Sequence, residues 1–144
     1  MTRRASRETA LKVLYAWDLS GLDPLERIPY WTDEKEFNIS KPDDFGDKIV
    51  RGVLDCRDAL DQAIAGCVLD WDFSRISVVD RNILRIAAYE ILFLRETPFA
   101  VVINEAVEIA KIYGAEDSFR FVNGILDQIK AKTKAAEVVN DAGI

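Results

Sequence analysis

Hydrophobic side chains recur along this chain with the period of an α-helix, and no segment alternates convincingly with the period of a β-strand. The first helix is predicted over residues 4–19 and ends at Gly21. Its buried stripe contains Ala10, Val13, Leu14 and Trp17. A short helix is predicted within residues 22–40, where Pro24 and Pro29 limit its length.

A long helix is predicted over residues 42–70, with Pro42 in its first turn. One face of this helix is apolar throughout and carries Phe45, Ile49, Val53, Cys56, Leu60, Ile64 and Cys67. Cys56 and Cys67 are therefore predicted to be small buried hydrophobic residues. The helix would separate them by about 16 Å, and a disulfide requires Cα atoms within about 7 Å, so no intrachain disulfide is expected.

The helix predicted over residues 78–94 is apolar almost all round, which is typical of a helix in the centre of a domain. Ser77 and Asp80 at its start resemble a capping box, with Asp in place of the usual Glu. Glu90 falls within the apolar surface. We expect it to be a structural carboxylate paired with an arginine or a backbone donor, and not a catalytic group.

Two further helices are predicted over residues 99–113 and 118–132, with Gly114 at the corner between them. The last helix has a buried stripe of Val122, Ile125, Leu126 and Ile129. These patterns predict a single all-α domain over residues 1–134 and a flexible tail over residues 135–144.

Composition narrows the class of protein further. The 144 residues are 49% hydrophobic and 31% charged, as in a globular domain. Neither a transmembrane run nor a secretory signal is visible, so a cytoplasmic protein without a membrane segment is expected. The absence of histidine and the two separated cysteines argue against a metal site and a histidine-based triad. No glycine-rich phosphate loop is visible, so no cofactor is predicted.

Charge is distributed unevenly along the chain, whose net charge is −6. Residues 1–20 contain four basic and two acidic residues, a net charge of +2. Residues 118–134 contain four basic residues and one acidic residue, a net charge of +3, whereas residues 21–117 have a net charge of −9. Such runs are usually solvated helix faces, but two basic ends on an acidic body would form an anion-binding surface if they met in space.

The start of the last helix carries residues beyond those that packing requires. Phe121 lies to one side of the buried stripe, near Asp117 and Arg120. Asp117 is most simply a helix N-cap, and Phe121 is most simply a residue at the rim of the core. Alternatively, the ring of Phe121 is a stacking platform for an unpaired base.

The first helix shows a similar excess. Tyr15 lies beside the buried stripe, either as a boundary residue with a hydrated hydroxyl or as an anchor for a partner protein. Arg3, Arg4 and Arg7 lie at the positive end of the helix dipole, where arginine is not stabilising. Their position hints at an external anion.

The chain resembles the NusB family of bacterial transcription antitermination factors over most of its length. The matching segments are RRASRETALKVLYAWDLSG, FGDKIVRGVLD, VVDRNILRIAAYEILFL and INEAVEIAKIYGAEDSFRFVNGILD. The last segment is the most specific, because it combines a helix stripe, a corner glycine and residues that the core does not need.

This resemblance implies an all-helical fold of two small packed bundles, with about six to seven helices and no enzymatic activity. It implies a factor that binds the boxA element of nascent single-stranded RNA together with NusE, a small ribosomal protein. The pair would join the elongating RNA polymerase with NusA and NusG. The expected result is read-through of terminators, chiefly in ribosomal RNA operons.

The resemblance also implies roles for individual residues. Arg3, Arg4 and Arg7 match an arginine-rich RNA-contacting segment, and Asp117 and Phe121 match positions near bound RNA. Arg120, which is adjacent to Phe121 and positively charged, is also predicted to bind RNA. Tyr15 and Asp80 match positions linked to the NusE contact, and Asp80 is shorter than the Glu expected in some relatives.

Besides a purely structural helical bundle, which is the fallback if the resemblance misleads, two alternatives stay open. One is a NusB-like interaction domain that self-associates as a homodimer, hides its RNA face and has little RNA affinity of its own. The other is an enzyme, since NusB-like domains occur fused to ribosomal RNA methyltransferases. The missing glycine-rich cofactor loop argues against methyl transfer.

Overall fold

The computed structural model describes residues 2–22, 43–68 and 73–141, with side chains as far as Glu137. The α-helices in these ranges are α1 (Arg3–Ser20), α2 (Asp44–Asp55), α3 (Arg57–Ala65), α4 (Val78–Tyr89), α5 (Phe99–Tyr113) and α6 (Ser118–Asp141). A 3₁₀ turn (Phe73–Arg75) precedes α4, and a π-helical turn (Glu90–Leu94) follows it. The short helix predicted within residues 22–40 falls on residues outside the described ranges and stays a prediction.

Helix α4 occupies the centre of the fold, as its apolar surface predicts. It packs against each of the other five helices of the described chain. Leu84, Ala88 and Ile91 are completely buried along this central segment. Helices α1 and α2 pack together on α4, and so do α5 and α6, so two helical bundles share the central helix. The predicted all-α architecture is confirmed, and the described ranges contain no strand.

Helix α1 begins and ends as its sequence predicts. The Thr2 side chain accepts a hydrogen bond from the amide of Ala5 at 3.1 Å, and Gly21 ends the helix in the left-handed region with φ of 71°. The predicted stripe is buried, since Ala10, Val13 and Leu14 are fully enclosed and Trp17 packs at the edge of the core.

The long helix predicted over residues 42–70 is wrong as a single element, because the chain bends at Cys56 and forms α2 and α3 instead. Cys56 has φ of −104° and ψ of 13°, outside ideal helical geometry. Helix α2 packs mainly on α1, whereas α3 packs on α4 and α6, so the two halves follow different neighbours. The apolar face survives the bend. Cys67 is buried and Cys56 is half-buried, and both are free thiols.

The helix predicted over residues 78–94 changes to π geometry in its last turn, where the amide of Arg95 donates to the carbonyl of Glu90 at 2.9 Å. Arg95 then ends the segment in the left-handed region with φ of 55°. Such turns insert an extra residue into a helix. The carboxylate of Glu90, the first residue of the turn, is buried and paired with Arg7, which confirms the expectation of a structural carboxylate.

The last two helices differ in how well the sequence locates their ends. Helix α5 spans the predicted residues, but α6 runs to Asp141, so the predicted end at Lys132 is wrong. The Arg95 side chain forms an exposed ion pair with Glu137 in these additional turns. Residues 135–141 are therefore helical, although they were expected to belong to a flexible tail, and residues 142–144 lie outside the described ranges.

Candidate nucleic-acid interface

The start of α1 carries Arg3, Arg4 and Arg7, which the resemblance predicts to contact RNA. Arg7 is buried, and its Nε and Nη2 atoms each donate to a carboxylate oxygen of Glu90 at 2.8 Å. Apolar side chains such as Leu11, Ile86 and Val102 surround the pair. Arg7 therefore fastens α1 to the end of the central helix.

All three arginines line an open groove, here called the arginine groove, with a volume of about 520 Å³. Its lining residues are Thr2, Arg3, Arg4, Arg7, Thr97, Val101 and Glu105. The Arg3 side chain donates to the Thr97 hydroxyl at 3.3 Å, and its guanidinium lies 4.3 Å from the centre of the Phe45 ring. Arg3 therefore projects towards solvent at the edge of the groove, where a phosphate could reach it.

Arg4 is joined to Glu105 of α5 by two hydrogen bonds. Arg4 Nε donates to Oε2 of Glu105 at 2.7 Å, and Nη2 donates to Oε1 at 3.1 Å. The hydrogen bond from Arg4 lowers the pKa of Glu105, a shift that partial burial opposes. The same bond raises the pKa of Arg4, so both groups are charged at neutral pH.

A second groove, here called the Phe121 groove, has a volume of about 410 Å³ and lies between the start of α4 and the corner that joins α5 to α6. Its lining residues are Ile76, Ser77, Asp80, Ala115, Glu116, Asp117, Ser118 and Phe121. The structure thus brings together the predicted RNA-binding residues Asp117 and Phe121. It places Asp80, predicted from the resemblance to contact the protein partner, in the same groove.

Asp80 is almost fully buried at the floor of the Phe121 groove. Its Oδ2 atom accepts a hydrogen bond from the Ser118 hydroxyl at 3.0 Å, and its backbone amide donates to the Ser77 side chain at 3.2 Å. The expected cap by Ser77 is therefore present, but the Asp80 carboxylate is turned towards α6. Its Oδ1 atom is buried without a hydrogen-bond partner in the described part of the chain. A buried acceptor of this kind would be stabilised by a donor from a ligand.

Close packing at the corner between α5 and α6 sets the position of this groove. The Ser118 hydroxyl accepts the amide of Ala115 at 2.9 Å while it donates to Asp80. A Cβ atom on Gly114 would lie 2.5 Å from Cβ of Ser118 and 2.8 Å from the carbonyl oxygen of Ala110. Gly114 has an extended backbone with φ of −86°. This position therefore requires glycine because of the close approach, and no left-handed conformation is involved.

Asp117 and Arg120 are both exposed beside the Phe121 groove. The carbonyl of Asp117 accepts the amides of Arg120 and Phe121 at 3.2 and 3.4 Å, which places it at the helix start where the sequence predicts an N-cap. The Arg120 guanidinium lies 5.4 Å from the centre of the Phe119 ring. Lys132, in the second basic segment, instead donates to the carbonyl of Gly66 at 3.2 Å and so caps α3.

Tyr15 belongs to an exposed apolar ridge near the end of α1. It is 40% exposed, and Leu19 and Leu22 are 60% and 40% exposed. Sequence reasoning identified Tyr15 but missed the two leucines, although Leu19 lies one helical turn from Tyr15. Asp80, by contrast, presents little surface for a protein contact.

Glu105 and Ser118 are two groove residues with side-chain hydrogen bonds that sequence reasoning missed. Glu105 lies 101 positions from Arg4 in the chain, and Ser118 lies 38 positions from Asp80. No local spacing connects such distant residues. The only local signal was Ser118 at the predicted start of a helix, where serine usually serves as a cap.

The described residues include neither a membrane-spanning helix nor a metal-binding cluster. None of their helices combines the length and the apolar character that crossing a membrane requires. These ranges also contain no cluster of cysteine and acidic side chains arranged to hold a metal ion.

Comparison with known proteins gives one consistent result. Residues 4–131 match the model of the NusB family. The transcription antitermination protein NusB of Pelotomaculum thermopropionicum is 45% identical over 129 residues, which cover 90% of this chain and 89% of that protein. A structure of T. maritima NusB superposes with a TM-score of 0.77 at 36% identity, covering 91% of this chain and 92% of that one. A chain from a crystal structure of the antitermination factors NusB and NusE in complex with dsRNA has a TM-score of 0.77 at 32% identity, covering 90% and 96%.

Proposed function

The chain belongs to the NusB family, and we propose that it is a transcription antitermination factor that binds boxA RNA together with NusE. The complex would join the elongating RNA polymerase with NusA and NusG, chiefly on ribosomal RNA operons in the cytoplasm. The protein would contribute binding and no catalytic step.

The Phe121 groove is the observation that carries this proposal. Phe121 offers a half-buried aromatic ring, and the exposed Glu116 and Asp117 offer carboxylates in the same groove. An unstacked base could place its ring on Phe121 and direct an amino group towards a carboxylate. Single-stranded RNA supplies both features, whereas the bases of a duplex are stacked and paired.

The charges of the two grooves suit different parts of an RNA strand. Asp80, Glu116 and Asp117 make the Phe121 groove unfavourable for phosphates and favourable for the amino groups of bases. Arg3 and Arg4 make the arginine groove favourable for phosphates. We therefore assign phosphate contacts to Arg3, Arg4 and the exposed Arg120. Arg7 would act indirectly, because it holds the first turn of α1 in place.

The direct test is fluorescence anisotropy with a short boxA RNA and a scrambled RNA, with and without NusE, at two salt concentrations. The proposal requires preferential boxA binding that becomes tighter with NusE and weaker with salt. Equal binding of both RNAs under all conditions by folded protein would refute it. Light scattering would then show whether the chain forms the stable homodimer of the alternative interpretation.

Replacing Phe121 with alanine tests the stacking contact. We expect Phe121→Ala to weaken RNA binding by about 1–3 kcal/mol, the usual contribution of one stacked base. Folding should be almost unaffected, because the ring lies at the rim of the core. Phe93→Ala is the matched control, since this exposed phenylalanine lines neither groove. Equal affinities of the Phe121 variant and the wild type in the anisotropy titration would contradict the stacking role.

The Tyr15 ridge is the proposed contact for NusE. A charge in the middle of an apolar contact is desolvated without a partner, so Tyr15→Asp should weaken the NusE complex by about 2 kcal/mol or more. RNA binding by the chain alone should change much less. Calorimetric titration of NusE into the variant would measure the loss, and Ile112→Asp is the control, because it places the same charge at an exposed apolar residue of α5. If the variant binds NusE as tightly as the wild type does, NusE does not bind at the Tyr15 ridge.

A further inference from the structure

The pair between Arg4 and Glu105 has the geometry in which arginine binds phosphate. Two guanidinium nitrogens point at two carboxylate oxygens, with separations of 2.7 and 3.1 Å. A phosphate group accepts the same parallel pair of hydrogen bonds. Glu105 therefore occupies the position at Arg4 that an RNA phosphate would take.

The three arginines of the first turn differ in how available they are. The side chain of Arg7 is only 4% exposed and its Glu90 partner 2% exposed, so that pair is part of the core. Arg3 donates to the neutral hydroxyl of Thr97, which does not offset its charge. The side chain of Arg4 is 40% exposed, and that of Glu105 is 19% exposed. Arg4 is thus accessible from solvent, but an acidic group holds its guanidinium.

Displacing Glu105 by a phosphate has a cost that depends on how the RNA is held. The Arg4 side chain is 40% exposed, so water and salt weaken its pair with Glu105 and a phosphate can compete for the guanidinium. The displaced carboxylate would still lie close to the phosphate, and both are negative. A strand held elsewhere on the protein presents its phosphate at a high effective concentration, whereas a freely diffusing strand does not.

From this geometry we infer that Glu105 is a specificity-determining residue of the RNA interface. Its carboxylate prevents Arg4 from binding the phosphates of RNA that lacks the preferred sequence. It is displaced only by a strand that base contacts in the Phe121 groove already hold. The inference rests on the proposed RNA-binding function.

Glu105→Gln removes the competing charge and retains the shape of the side chain. We expect this variant to bind a scrambled single-stranded RNA about three- to tenfold more tightly than the wild type does. Affinity for boxA RNA should rise by a smaller factor, so selectivity falls. The slope of log K against log salt for the scrambled RNA should steepen by about 0.7, the value for one additional phosphate contact on a single strand.

Glu108→Gln is the matched control, because it makes the same change of charge on the same helix. Glu108 pairs with Lys111 at 3.1 Å and acts on Arg4 only through space. Its replacement should therefore affect both RNAs equally and by less than about twofold. In the double variant Arg4→Ala with Glu105→Gln, the gain on scrambled RNA should disappear. Circular dichroism would verify that each variant is folded.

The outcomes separate this inference from the proposed function. If Glu105→Gln binds scrambled RNA no more tightly than Glu108→Gln does, the role of Glu105 is wrong even where boxA preference is present. If the wild type shows no boxA preference but Glu105→Gln still gains affinity through Arg4, the proposed function fails and the masking of Arg4 stands. Should Glu105→Gln fail to fold, Arg4→Ala decides the matter. It should weaken binding of boxA RNA and leave binding of scrambled RNA nearly unchanged, and equal losses on both would overturn the inference.

Discussion

Replacing Glu90 with alanine should destabilise the protein by about 3–5 kcal/mol, because it leaves the guanidinium of Arg7 buried without its partner. Both hydrogen bonds of the pair measure 2.8 Å, and neither side chain can reach water without local unfolding. Domains of this size have a free energy of unfolding of about 5–15 kcal/mol. The variant should therefore unfold at a much lower denaturant concentration, which urea titration followed by circular dichroism would measure.

Two further variants make this prediction specific. Glu96→Ala removes an exposed carboxylate that pairs with Lys48 at 3.0 Å, and it should cost no more than about 1 kcal/mol. The double change Arg7→Met with Glu90→Leu replaces the pair with apolar side chains, which is often close to neutral at about 1 kcal/mol or less. If Glu90→Ala and Glu96→Ala unfold at the same urea concentration, the buried Arg7–Glu90 pair stabilises the protein no more than an exposed pair does.

Gly114→Ala should destabilise the protein by about 2–4 kcal/mol, the sum of an overpacked contact and weakened hydrogen bonds at Ser118. The new Cβ atom would meet Cβ of Ser118 at 2.5 Å and the carbonyl oxygen of Ala110 at 2.8 Å. Neither neighbour is the end of a flexible side chain, so the corner itself must open. Because Asp80 and Ser118 would then separate, we also expect weaker RNA binding.

Gly124→Ala is the matched control for this substitution and should have the opposite sign. Gly124 lies in α6, and nothing would come within 4 Å of an added Cβ atom. Alanine is favoured over glycine inside a helix by about 0.5–1 kcal/mol, so the variant should be more stable than the wild type. Thermal unfolding of the two variants in parallel measures both effects. A stabilising Gly114→Ala would mean that the corner is looser than its packing indicates.

The helices were predictable because burial repeats at a local period. The stripe of α6 contains Val122, Leu126 and Ile129, which are buried as predicted. The bend at Cys56 was not predictable, because the apolar face continues through it without interruption. At the bend, α2 packs on α1 and α4 whereas α3 packs on α4 and α6, and an apolar stripe does not record which helix it will meet.

The candidate site was predictable in residue type and only partly in role. Aromatic and acidic residues beyond the needs of packing pointed to Phe121 and Asp117, and both line one groove. Arg7 looks like Arg3 and Arg4 in the sequence, but it is buried against Glu90. Asp80 was expected to contact a protein partner, yet it is buried and bonded to Ser118. In both cases a residue distant in sequence changes what the side chain can do.

Local pattern thus decided the all-α class, the positions of most helices, the buried stripes and the family resemblance, since each depends on residues within a few helical turns. Only the packed structure decided which charges remain available to a ligand. Arg7 is buried in a pair with Glu90, and Arg4 is paired with Glu105. Asp80 has a buried oxygen without a hydrogen-bond partner in the described ranges. Charge pairing depends on distance in space, and helices brought together from opposite ends of the chain create distances that no spacing in the sequence encodes.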